Sequence, residues 1–217
     1  MFSLFTGGSI TELICLIFAL IFLIKDKNYF WHISIGYIFL VLSTELFARY
    51  IGRIYHSNLI VYNIYTFFEL TYITYAFYYF LKDFLAVKKF MVAVYLIILS
   101  IYIGFSMMNN MVMVYNSITI SIMSVVFVIY ALMYFYLLLK DEKYVDLKFH
   151  PAFWWLGGVL IFYFGGTISN FFFDIIQQKF LGRFNTRRII YITLNIFLYS
   201  FWSYSFICRA RQRKICQ

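Results

Sequence analysis

The sequence predicts an all-α, polytopic transmembrane bundle of about seven helices, and three observations carry that prediction. The chain of 217 residues is 64% hydrophobic and only 12% charged, with a mean hydropathy of +0.83. A soluble domain covers itself with roughly 25% charged residues, which this chain does not have. Seven apolar runs can be marked, at about 9–24, 31–51, 58–81, 90–107, 113–139, 152–174 and 189–208, each near the roughly 20 residues needed to cross a bilayer. All 18 Lys and Arg fall in connections, at helix ends or in the tail. The runs fill the whole length, so a single membrane domain over 1–217 is expected.

The first run is read as a retained helix rather than a signal peptide. No basic residue precedes it and no small-residue cleavage site follows; Lys25 and Lys27 follow instead, which favours an external N-terminus. The second run carries Glu45 with Arg49 and Arg53 one and two turns on. Glu before Arg at i, i+4 is the favourable order for an intrahelical pair. One account is a local pair whose arginines snorkel to the headgroups; the other has Arg49 lining a vestibule for an anionic or carboxylate-bearing ligand.

The third run is the most informative, because Glu69 lies near its middle. An ionisable group at that depth costs about 2.5–3.5 kcal/mol on insertion scales and must face the bundle interior. At 100° per residue, Tyr62, Tyr65, Thr66 and Tyr72 share its face. Glu69 reads either as the polar anchor of a ligand pocket or as a structural, protonated glutamate held by tyrosines between packed helices. The fifth run is long enough to tilt or protrude.

The sixth run begins after Pro151, where a first helical turn tolerates proline. It carries two double glycines, Gly157-Gly158 and Gly165-Gly166. Tyr163, Gly166, Asn170 and Asp174 fall on one face, which suits close helix packing, a kink, or a flexible point near a pocket. The seventh run places Arg188, Tyr191, Asn195, Tyr199 and Trp202 on one face. Its N-I-F-L-Y stretch has the Asn-to-Tyr spacing of G-protein-coupled receptor helix 7 but lacks the proline, and no D-R-Y-like triplet follows the third run.

Charge distribution sets the expected orientation. With the N-terminus outside, the cytoplasmic loops and tail hold 12 basic residues against 6 outside, as the positive-inside rule requires. The sixth loop, with Lys179, Arg183, Arg187 and Arg188, dissents. Trp31, Trp154 and Trp155 open the second and sixth runs and are expected in the cytoplasmic headgroup region. The basic excess then reads as topology and attraction to anionic lipid, not as a nucleic-acid face.

Several chemistries are unsupported. No lysine lies in the last run for a retinal Schiff base, and His32, His56 and His150 sit at helix ends or in loops rather than as paired haem ligands. No H-E-x-x-H or G-x-S-x-G occurs, so no cofactor, metal or catalytic residue is assigned. Cys15, Cys208 and Cys216 have no zinc or disulfide-framework spacing; they read as bystander thiols, with lipidation of Cys216 the alternative.

Three stretches together, Y-N-I-Y-T-F-F-E (Tyr62–Glu69), H-P-A-F-W-W-L-G-G-V-L-I-F-Y-F-G-G-T (His150–Thr167) and L-N-I-F-L-Y-S-F-W (Leu194–Trp202), resemble small seven-helix bacterial inner-membrane proteins. Similar segments occur as membrane portions of sensor histidine kinases or are encoded beside them. The resemblance implies a sensory or accessory role with the signal passed to a separate partner. The expected pocket lies between the second, third, sixth and seventh helices, lined by Glu45, Arg49, Tyr65, Glu69, Tyr72, Asn170, Asn195 and Tyr199. Ligand binding would alter the cytoplasmic surface formed by residues 140–150 and 209–214. An oligomeric pore or permease-like effector and an intramembrane lipid-modifying enzyme are the alternatives.

Overall fold

The computed structural model describes residues 7–109, 113–141, 146–171 and 186–215. Among these the chain forms seven α-helices: α1 (Gly7–Leu23), α2 (Tyr29–Tyr55), α3 (Leu59–Leu81), α4 (Lys88–Met108), α5 (Ser117–Lys140), α6 (Pro151–Phe171) and α7 (Thr186–Ile215). A single 3-10 turn, Leu147–Phe149, precedes α6, and no strand occurs among the described residues. Five helices, α2, α4, α5, α6 and α7, are long and apolar enough to cross a membrane. α1 is apolar but has 17 residues, about 25 Å of helix. α3 has 23 residues and falls outside that group because Tyr62, Asn63, Tyr65, Thr66, Glu69 and Tyr72 dilute its hydropathy.

Helix ends follow local chemistry. Asn28 caps α2 by accepting from the Phe30 backbone N–H at 3.0 Å, and Asn116 caps α5 by accepting from Thr119 at 3.1 Å, each satisfying a donor the helix leaves open. The second cap makes α5 begin at Ser117 rather than near 113. Asn63 fixes that turn to α3, since its amide donates to Val114 O (2.9 Å) and its Oδ1 accepts from Asn116 N (3.0 Å).

Neighbouring helices run antiparallel, as where Gly158 of α6 meets Phe201 of α7 while Gly165 meets Leu194. Six helices close a ring in the order α1–α2–α3–α5–α6–α7, with α7 returning to α1, while α4 packs outside against α3 and α5. The outer position leaves Phe90, Leu96, Ile97 and Ile103 of α4 exposed, as lipid contact requires. The N-terminal rim is the end at which α1, α3, α5 and α7 begin; the C-terminal rim is the opposite end.

α6 and α7 approach closely. A Cβ on Gly158 would stand 2.9 Å from Phe201 Cβ and 3.2 Å from the Leu198 backbone oxygen, so glycine is what lets the two backbones meet. The glycine pairs therefore serve packing, and α6 runs unbroken through both.

Between its middle and the C-terminal rim the ring is filled by aromatic side chains. Trp155 and Trp202 stack at 5.0 Å, Tyr37 and Tyr72 at 3.8 Å, and Phe30 and Tyr79 at 4.2 Å. Lipid tails are as apolar as these rings, so van der Waals contact and ring geometry hold the layer together more than expulsion from water does. Trp31 (2% exposed) and Trp155 (0%) belong to this layer, which corrects the expectation that they sit among headgroups. A tryptophan at a helix end suits either place, and here both rings turn inward.

α7 also corrects the expected boundary at 208, because it continues to Ile215. Its last turns clamp the α1–α2 connection. Arg209 donates through Nε and Nη2 to the Asp26 carboxylate at 2.8 and 3.2 Å, and Arg213 Nη2 donates to Phe22 O at 2.8 Å. Arg211 lies 3.6 Å over the Phe149 ring. The expected basic tail is thus helical and largely engaged.

Candidate functional site

A cavity of roughly 690 Å³ occupies the N-terminal half of the ring, within the range of small-ligand pockets. Helical periodicity explains how each element reaches it: residues spaced by three or four share one face. From α3 come Tyr62, Tyr65, Thr66, Glu69 and Ile73; from α2, Tyr37, Val41, Thr44 and Glu45; from α6, Tyr163, Gly166 and Asn170; from α7, Tyr191, Asn195, Leu198, Tyr199 and Trp202. The floor is the aromatic layer, met at Tyr37 and Trp202. The upper lining includes Asn58, Leu59, Tyr115 and Ser117, which stand where α3 and α5 begin, so the cavity reaches the N-terminal rim.

Of the eight residues expected to line a pocket, Glu45, Tyr65, Glu69, Asn170, Asn195 and Tyr199 do so. Arg49 does not. Its Nη2 lies 2.6 Å from Glu45 Oε1, while Tyr62 donates to Glu45 Oε2 at 2.9 Å. Both oxygens of Glu45 are therefore engaged, and the local ion pair accounts for Arg49 better than a vestibule for anions. Tyr72 is also outside the lining: it donates to Ser34 Oγ at 2.9 Å and stacks on Tyr37, within the aromatic layer. At about 60° from Glu69 and nearly a turn deeper, it sits at the edge of that face.

Glu69 is approached from across the ring by Tyr163, whose hydroxyl donates to Oε1 at 2.6 Å. Tyr37 and Tyr65 share a hydrogen bond at 2.8 Å just beside it. At the rim, Tyr191 donates to Asn170 Oδ1 at 3.2 Å, linking α7 to α6. Arg188 is exposed. Asp174 and the bases Lys179 and Arg183 lie outside the described residues, as does Cys216; Cys15 and Cys208 are both buried free thiols.

Two contributions went unread in the sequence. α5 supplies Ser117, Ser121 and Ser124 at helical spacing, a pattern too common in membrane helices to stand out. α1 supplies Glu12, which is 5% exposed and lines the cavity. The signal that exposed Glu69 was available here too, since Glu12 is the one charged residue of α1. Among the lining residues the cavity gathers three carboxyls, Glu12, Glu45 and Glu69, and no Lys, Arg or His. No group of metal-ligating side chains occurs among the described residues.

The arrangement can enclose a small molecule, offer it carboxyls, amides and phenols at fixed places, and keep it from the far rim. Comparison with known proteins finds no matching family model, no matching curated protein and no matching solved structure.

Proposed function

We propose that this chain is a receptor-like or signalling-accessory protein of a bacterial inner membrane, taking a small ligand into the ring from the N-terminal rim. The observation that carries the reading is the cavity itself: six helices converge polar side chains on roughly 690 Å³, and the aromatic layer stops it short of the other rim. A conduit through one copy would need that layer to part, which makes the pore reading weaker. The 12-to-6 charge distribution supports a reading in which the rim is outside and the α7 end is in the cytoplasm. There the 3-10 turn and the end of α7 form a joint surface, because Tyr204 Oη and Cys208 Sγ both approach Lys148 O. A ligand that draws α6 and α7 toward α2 and α3 would shift this surface for a separate signalling partner.

Ser121 lines the cavity and is exposed, so Ser121→Cys reports on access. A membrane-impermeant maleimide applied to intact cells should label it, and a reporter fused at Gln217 should be cytoplasmic. Labelling only after permeabilisation, or an external Gln217, would overturn the orientation; no labelling under either condition would overturn the open cavity.

A further inference from the structure

We propose that the cavity takes an organic cation, an ammonium group on a compact apolar or aromatic body, with Glu12 as its counter-ion. The inference rests on the reading of the cavity as a ligand site and adds the ligand's chemistry.

The three carboxyls of the lining are not equivalent. Glu45 is occupied by Arg49 and Tyr62, and Glu69 holds Tyr163 through one oxygen. Glu12 is the exception: it is 5% exposed, and its Oε2 is buried with no hydrogen-bond partner among the described residues. Leaving a carboxyl oxygen out of water without a donor is costly. A protonated amine in the cavity supplies a charge of the right sign and, once the Glu12 carboxyl rotates toward it, the missing donor.

The rest of the lining agrees. Arg49, behind the lining, is already held by Glu45, and the lining itself has no Lys, Arg or His, so an anionic ligand would face Glu12 and Glu69 with its own charge unpaired. Tyr37, Tyr65, Tyr199 and Trp202 offer rings to the same space, and aromatic faces attract desolvated cations. An inorganic divalent ion suits the site less well, because the carboxyls come from three separate helices and form no ligand group with other donors. The volume exceeds what a single ion needs and fits an organic body.

The test uses the full chain in nanodiscs and three probes of one shape and different charge: 2-phenylethylammonium, phenylacetate and 2-phenylethanol. The ammonium should raise the melting temperature saturably and slow maleimide labelling of Ser121→Cys; phenylacetate should do neither. Glu12→Gln should raise the half-saturating ammonium concentration about tenfold or more, and Glu12→Asp should recover part of that loss. Should Glu12→Gln fail to fold, the comparison of charged probes on the unaltered chain still decides. Equal or better protection by phenylacetate, protection by none of the three, or ammonium binding unchanged in Glu12→Gln would overturn the assignment. These outcomes leave the cavity reading intact as long as Ser121→Cys labels from outside, so the two failures are separable.

Discussion

Replacing Asp26 with asparagine probes the clamp at the C-terminal rim. The Asp26 side chain is fully buried, whereas Arg209 and Arg213 are each 24% exposed. Its carboxylate receives Arg209 twice, at 2.8 and 3.2 Å, and the Asn28 backbone N–H at 2.8 Å, with Arg213 Nη1 at 3.6 Å. Asparagine retains an oxygen for Asn28 but loses the charge and the two-pronged contact. Breaking a fully buried pair costs about 3–5 kcal/mol; partial hydration of the stranded arginines lowers the expected loss to about 2–3 kcal/mol. For a chain of this size that is a fall of about 5–10 °C in Tm. Tryptophan fluorescence in detergent suits the assay, since the Arg209 guanidinium stands 5.7 Å from the Trp31 ring. The pH dependence has a fixed sign. Burial alone pushes the Asp26 carboxyl up, but the Arg209 and Asn28 hydrogen bonds and both guanidinium charges outweigh it and hold it below the ordinary value. The stabilisation is therefore complete above the unfolded value of about 3.9 and lost as pH falls through the lower folded value. The gap between the parent and Asp26→Asn should be level from neutral pH to about pH 5 and narrow below about pH 4. Strict additivity of Asp26→Asn with Arg209→Gln, or a parent-like melt for Asp26→Asn, would refute the clamp.

Two further replacements test the walls of the ring. Gly158→Val should lower stability by about 1–3 kcal/mol by forcing α6 from α7, read as a lower midpoint in a circular-dichroism melt; an unchanged midpoint would mean that the helices do not meet there. Tyr163→Phe removes the donor to Glu69 Oε1 and should cost about 1–3 kcal/mol, but little in a Glu69→Leu background; equal costs in both would rule out the bond.

What the sequence disclosed and withheld has a physical pattern. Helix positions were legible because lipid demands apolar length and backbone polarity demands helix. The Glu45–Arg49 contact was legible because both partners lie on one helix at i, i+4. Glu69 was legible as an inward group from cost alone, yet its partner Tyr163 sits 94 residues away, and pairing across a ring leaves no local trace. The same holds for Asp26. Residues 209–214 read as a tail because charge usually marks the edge of a span, and only the distant carboxylate explains why the helix continues. Trp31 and Trp155 misled because a statistical preference for headgroups says nothing about a particular ring that six helices enclose.

The closure of the ring by its first and last helices has a consequence for how the chain is made. Asp26 and Arg209 are 183 residues apart, so at about 5–20 residues per second of synthesis the carboxylate waits about 10–40 s for its partner. Until α7 enters the membrane, α1 lacks one of its two neighbours, and Glu12 faces a ring that has not closed. A nascent chain that stops before α7 therefore leaves Asp26 without Arg209 and α1 without the helix that packs along it.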